Sequence, residues 1–385
     1  MASHTPPTLS RGELLHLYGV SLPVAVGTFF YQYLRHTLTS WSNGRLDGTA
    51  LKRNIFTSLG SLMTIPSLRE IQYLQRRTTG DAVRAYAKAK QLQLRSVLLT
   101  DSDTDGHGPA TLHIVTVEDD AVRNGGDPST LLYFHGGAYI TPLPNPAAGH
   151  TLAVRAGVSQ LAVLEYSLAP ARAYPAQLAQ AAAALRHLVT VDGIAFHDIA
   201  IAGESAGGNL LLALLAHMQQ PHPRIRALPG QPPGQSGDTS QRLRGALVVS
   251  PRTRNEPTRP SHIENEGKDM LSRASMVRTA EAWKPVSGEV WAAPDEGDRA
   301  FWQGLRADRV LLTAGGDEIY RDDIVHTAEM MGAGDAPTAG EPAVQVVVCP
   351  HEVHVQGVVD LATGIEGGVM ADAMLRWADE VGQST

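Results

Sequence analysis

The stretch IAIAGESAGGN, residues 199–209, decides how the rest of this chain is read. Its first four residues form a short continuous apolar run, the pattern of a strand covered on both faces. A glycine-bracketed serine follows, Gly203-Glu204-Ser205-Ala206-Gly207, and residues 209–218 then carry a helical pattern. A serine at such a strand-to-helix junction is forced onto a sharp, strained turn. Side chains at 203 and 207 would strike neighbouring backbone, and the turn lifts the hydroxyl out of the sheet and aims a helix N-terminus at it. Ser205 is the candidate nucleophile.

Working outward, β-rich apolar runs recur at 92–100, 111–118, 130–134, 160–166, 245–250, 309–313 and 344–348. Ala/Leu-rich helical stretches such as 174–190 lie between them. Alternation of this kind predicts an α/β fold, a mostly parallel eight-stranded sheet with helices on both faces. Two regions stand outside it. Residues 1–90 read as an N-terminal helical cap region, and 91–385 as the catalytic domain, with a second cap insertion at about 252–305. Insertions at strand ends of an α/β sheet commonly cover the site there. The Pro/Gly/Gln/Ser-rich stretch 221–241 reads as a mobile surface loop.

Composition narrows the function classes. The chain has 385 residues, of which 43% are hydrophobic and 18% charged, so it is neither disordered nor short of core. Its formal net charge of −7 provides no basic field for collecting phosphates, which argues against nucleic acid as a partner. The lone Cys349 excludes an intrachain disulfide and Cys-rich zinc frameworks. With no Asn-x-Ser/Thr acceptor, the chain is expected to be cytoplasmic. Residues 14–34 qualify that expectation, because no formally charged residue interrupts them. They suit an apolar helix packed over the core, a peripheral membrane contact, or a spanning anchor.

The segment TLLYFHGGAY, residues 130–139, ends a β-rich run in a glycine turn. A tetrahedral intermediate of acyl transfer carries a negative oxygen that needs fixed donors, and backbone amides in a glycine loop supply them. Gly136 and Gly137 are the candidate oxyanion donors, with Ala206, just after the nucleophile, as the third. His135 reads as a structural residue holding the loop.

Taken together, HGGAY (135–139), EYSLAPARAYPAQ (165–177) and GESAGGN (203–209) resemble the hormone-sensitive-lipase-like family of α/β-hydrolases, of fungal type, over roughly residues 90–385. The resemblance implies the α/β-hydrolase fold with a helical cap and a serine carboxylesterase that needs no metal or organic cofactor. It also implies a catalytic acid on the strand that follows the cap, and a histidine in a later loop. Laid on AGGDEIYRDD (314–323), the family pattern makes Glu318 the acid, with Asp317 as the competitor. In CPHEVH (349–354) it favours His354 over His351 as the general base. The H-E-V-H run lacks the i, i+4 spacing of a helical zinc motif, so no metal is expected.

Three positions depart from the family pattern: Glu204 before the nucleophile, Ala138 where a third glycine is common, and Ser167 where arginine is common. They put the substrate range in doubt and remove no reacting group. The expected function is hydrolysis of a small or medium apolar ester through an acyl-enzyme, with the N-terminal region, Trp283 and Trp291 shaping the pocket. Two alternatives stay open: an acyltransferase or ring-forming enzyme using the same acyl-enzyme in natural-product biosynthesis, and a non-catalytic ligand receptor on the same fold. The oligomeric state is left open.

Overall fold

The apolar runs become strands, and their side chains divide between two faces. The computed structural model describes residues 7–60, 63, 65, 67–117, 129–230, 241–335 and 342–383. Strands β1 (Leu94–Leu99), β2 (Ala110–Thr116), β3 (Thr130–Phe134), β4 (Gln160–Glu165), β5 (Ile199–Glu204), β6 (Gly245–Val249), β7 (Arg309–Gly315) and β8 (Ala343–Cys349) form one sheet in the order β1-β2-β4-β3-β5-β6-β7-β8. β2 pairs antiparallel with β1 and β4, and every other pair is parallel. This is the mostly parallel, eight-stranded sheet that the alternation predicts. Glu118, at the end of the expected second strand, and residues 231–240 of the expected loop lie outside the described residues.

Because successive side chains along a strand point to opposite faces, each strand feeds two cores. Leu132, Phe134, Leu164, Ile201, Val248 and Leu312 meet Leu178, Leu185, Leu210 and Leu214 from the helices Ala176–Thr190 and Ala206–Gln219. Leu131, Tyr133, Val163, Ala202, Leu247 and Leu311 meet Leu152, Met374 and Trp377 from the helices Ala147–Arg155 and Val369–Gly382. The helix after β5 begins earlier than its apolar periodicity suggests, since Ala206, Gly207 and Gly208 carry no side chain large enough to mark a face.

The N-terminal region is helical, at Arg11–Ser42, Gly48–Leu59, Leu68–Leu74 and Thr79–Lys90. Ser10, Asp47, Ser67 and Thr78 each accept a backbone N–H at a helix start, so the sequence itself sets these boundaries. Gln72 Nε2 donates to the carbonyls of Ile140 and Ala169 at 2.9 and 2.8 Å, in the loops that follow β3 and β4. Arg53 pairs with the buried Asp360 at 2.7 Å, and Arg35 donates to the Gly267 carbonyl at 2.7 Å. These helices therefore pack over the carboxyl ends of the strands, together with the helix Arg273–Trp283.

The tightest approach in the fold is at the turn after β5. A Cβ on Gly203 would lie 2.5 Å from the Gly207 carbonyl oxygen, and one on Gly207 would overlap the Phe134 carbonyl of β3. Gly207→Ala is expected to cost about 3 kcal/mol or more by forcing β3 away from the turn. Gly12→Ala, with nothing within 4 Å, should leave the thermal unfolding midpoint in place. Melting curves of the two variants check this.

Candidate active site

The turn after β5 places Ser205 at φ +54° and ψ −117°, a conformation non-glycine residues adopt only when the surroundings impose it. Its N–H donates to the Val249 carbonyl at 2.9 Å and its carbonyl accepts from Asn209 and Arg252, which holds the strained residue from both sides. The hydroxyl is thereby presented above the strand ends at the N-terminus of the helix Ala206–Gln219.

His354 follows β8 in a loop and Glu318 follows β7. Ser205 Oγ donates to His354 Nε2 at 2.8 Å, and His354 Nδ1 donates to Glu318 Oε1 at 2.7 Å. These partners select the tautomer with the proton on Nδ1, which leaves Nε2 as the acceptor. Glu318 is fully buried, and its second oxygen accepts from the Gly315 N–H and the Ser250 hydroxyl, each at 2.8 Å. Asp317 is turned outward, 3.9 Å from Lys268 and 4.0 Å from an exposed His351. The two adjacent carboxylates project in different directions, and Glu318 is the one that meets the imidazole.

Burial alone would lower the His354 pKa, but the Glu318 carboxylate beside it, with smaller help from Asp269 and Glu204, raises it above the ordinary imidazole value. Asp269 is a further part of this assembly that no sequence motif reveals. Its Oδ1 accepts the His354 N–H at 3.0 Å and its Oδ2 accepts the Ile319 N–H at 2.9 Å, so one buried side chain fixes the loops carrying both His354 and Glu318. Burial, with Glu318 nearby, pushes the Asp269 carboxyl up to about 6, while His354 opposes the rise. Ser250 adds a second clamp by donating to Glu318 and accepting the Val355 N–H at 3.1 Å.

The glycine loop departs from the expectation at one residue. Gly136 is not available as an oxyanion donor, because its N–H is given to Glu204 Oε1 at 2.7 Å. Among the described residues the amides of Gly137, Ala138 and Ala206 have no acceptor, so the loop presents Gly137 and Ala138 where the sequence suggested Gly136 and Gly137. Ala138, at φ +56°, takes the left-handed conformation that a third glycine would adopt without strain. Burial pushes the Glu204 carboxyl up to about 7 even though the Gly136 N–H opposes it.

His135 is a strut beneath the loop. Its ring stacks on Tyr166 with centroids 4.3 Å apart, its Nε2 meets Thr79 Oγ1 at 3.1 Å, and burial lowers its pKa to about 4. Glu352 of the H-E-V-H run accepts the N–H groups of Val369 and Met370 and thereby caps the last helix. Among the described residues no His/Cys/Asp/Glu group is placed to hold a metal ion. Trp283 is buried and stacks on Tyr139 of the glycine loop at 4.5 Å, whereas Trp291 packs on His222 and donates to the Gln220 carbonyl.

A buried carboxylate, an oriented imidazole and a strained serine beside unpaired amides form the constellation of acyl transfer. Comparison with known proteins agrees with that architecture. The chain is 42% identical over 87 residues to the Mycobacterium tuberculosis protein named "Putative acetyl-hydrolase LipR", covering 22% of this chain and 28% of that one. It is 28% identical over 202 residues to an acetyl-hydrolase of Streptomyces hygroscopicus, covering 51% and 60%. The chain thus matches less than two thirds of the length of either relative. A solved esterase from the bacterial hormone-sensitive lipase family superposes with a TM-score of 0.56 at 22% identity, over 80% of this chain and 92% of that one, a likeness of fold. The family model for the alpha/beta hydrolase fold matches residues 131–356, from β3 to just past His354 and more than half of the chain. The protein therefore belongs to the α/β-hydrolase fold family.

Proposed function

We propose that the protein is a serine carboxylic ester hydrolase acting on a small or medium ester with a largely apolar body. The observation that carries this reading is the continuous hydrogen-bond chain Ser205–His354–Glu318, with both links under 3 Å, ending on a serine held in a strained backbone conformation. His354 Nε2 takes the proton of Ser205 as Oγ attacks the ester carbonyl. The amides of Gly137, Ala138 and Ala206 receive the developing oxyanion, and the N-terminus of the helix Ala206–Gln219 adds its positive end. His354 then gives its proton to the departing alcohol, and the same ring activates a water that releases the acyl group. Glu318 remains ionised and holds the imidazole in the productive tautomer. The acetyl-hydrolase names of the relatives support a short acyl group.

Purified protein should release nitrophenol from short-chain nitrophenyl esters, and Ser205→Ala should lower kcat by roughly 10⁴-fold or more without unfolding the chain. Unchanged turnover in Ser205→Ala would refute the reading. The base must be neutral to accept a proton, so kcat/KM should rise with pH through an apparent pKa above the ordinary imidazole value. Glu318→Gln removes the carboxylate that raises this pKa. Its profile should shift toward lower pH while the plateau falls, as rate measurements across pH will show.

We also propose that the helix Arg11–Ser42 rests on a lipid surface. Its inner side is docked, through buried Leu17, Ser21 and Ala25 and a 2.6 Å bond from Ser21 Oγ to Glu70. The outer side exposes Leu15, Tyr18, Val24, Phe30, Tyr31 and Trp41, with Leu15 76% and Trp41 69% exposed. No Asp or Glu occurs from Leu14 to Leu46, and Arg35 and Arg45 follow the apolar stretch. An apolar outer face with aromatic residues and flanking cations matches an interfacial helix. The protein should sediment with vesicles containing anionic phosphatidylserine, and the combined change of Phe30, Tyr31 and Leu34 to Ser should abolish this. A chain that stays in the supernatant, or that self-associates through this face instead, would count against the proposal.

A further inference from the structure

Arg252 lies close to Ser205 and carries a charge that the proposed chemistry does not use. It follows β6 by three residues, its N–H donates to the Ser205 carbonyl at 3.2 Å, and its carbonyl accepts from Asn209 Nδ2 at 2.8 Å. The side chain turns inward and is only 2% exposed. Its guanidinium carbon lies 5.8 Å from the Trp283 ring. One terminal nitrogen reaches Thr279 Oγ1 at a long 3.4 Å, and that hydroxyl already donates to the Ser275 carbonyl. Nε and the other terminal nitrogen are buried with no acceptor among the described residues.

Neighbouring arginines among the described residues are treated differently. The buried Arg244 pairs with Asp198 at 3.1 Å, and Arg254 and Arg259, on the same segment as Arg252, both bind Asp295 at 2.6 and 2.9 Å. A guanidinium removed from water without an anion costs several kcal/mol, and a fold that could supply a carboxylate two residues away has not done so here. The position is also specific. Tyr139 belongs to the glycine loop and stacks on Trp283, and the Tyr320 ring lies 5.5 Å from that of His354. Burial drives both phenols upward, Tyr320 to about 12, and the Arg252 cation opposes the rise in each.

We infer that Arg252 is the anion-recognising residue of the substrate site and that the substrate is an ester carrying a free carboxylate. The forked guanidinium would take that carboxylate in two charge-assisted hydrogen bonds, with Trp283 and Tyr139 packing on the apolar body between carboxylate and ester. This rests on the hydrolase reading above and narrows its substrate class.

The test compares two carboxylated esters with neutral counterparts. Monoethyl glutarate is set against ethyl pentanoate, and butyryl glycolate against propyl butyrate, which places the charge on the acyl or the alcohol side. Acid release is followed by titration. At least one carboxylated ester should be preferred in kcat/KM by about 10- to 100-fold, the range expected of a charge-assisted pair. That ratio should collapse in Arg252→Met and persist in part in Arg252→Lys. Free glutarate should raise the thermal midpoint of the wild-type protein, a readout independent of turnover and of how the variants fold. Absence of any preference for charge, a ratio unmoved by Arg252→Met, or no protection by glutarate overturns the inference. Protection by glutarate in a protein that hydrolyses neither these four esters nor the nitrophenyl esters would sink the hydrolase reading and leave anion recognition standing.

Discussion

The buried carboxylate of Glu318 is the interaction on which the rest of the site depends. A carboxylate removed from water needs donors for both oxygens, and here the Gly315 amide, the Ser250 hydroxyl and the His354 ring provide them. Those donors come from β7, from the end of β6 and from the loop after β8, so satisfying one charge brings three strand ends into register. Asp269 repeats the device from the segment between β6 and β7, accepting one amide from the acid loop and one from the base loop. The imidazole is therefore held by groups that are themselves locked by burial, which is what preorganisation of a proton-transfer pair requires.

The same logic governs the oxyanion loop, with a different outcome. Glu204 is buried beside Ser205 and takes the Gly136 amide, tying the loop after β3 to the turn after β5. The loop is thereby fixed, and the free amides move one residue along, to Gly137 and Ala138. With Ala at 138 in the left-handed region, part of the strain that glycine would avoid is stored beside the site. His135 and Tyr166 support this arrangement from below as a neutral stacked pair, since burial keeps the imidazole unprotonated.

Over this floor lie the N-terminal helices and the segment carrying Trp283, and both contribute more than a roof. Gln72 holds the loops after β3 and β4 through two carbonyls, and Thr79 reaches the His135 ring, so the helical region is bonded to the loops that carry the site. Trp283 stacks on the glycine loop while Arg252 lies beneath it without a counter-ion. That unpaired guanidinium is the feature from which the carboxylate site is inferred.

The strands and the strained turn were legible in the chain, because short continuous apolar runs and glycines at fixed offsets are local properties. Gly203 and Gly207 announce a close backbone approach whatever surrounds them, and the eight apolar runs announce a covered sheet. The choice of Glu318 over Asp317 rested on the family resemblance alone, and which loop amides stay free, and that Asp269 and Ser250 complete the site, were not legible. Each is settled by contacts between residues tens to more than a hundred positions apart, and neither Asp269 nor Ser250 sits in a local pattern that marks it. The charge of Arg252 was visible as a letter, but its lack of a partner was not. The sequence by itself determined the sheet, the elbow and the kinds of groups available. Only the tertiary structure decided which of those groups share a burial environment, because pairing in a low-dielectric interior is a property of the packed whole and not of any segment within it.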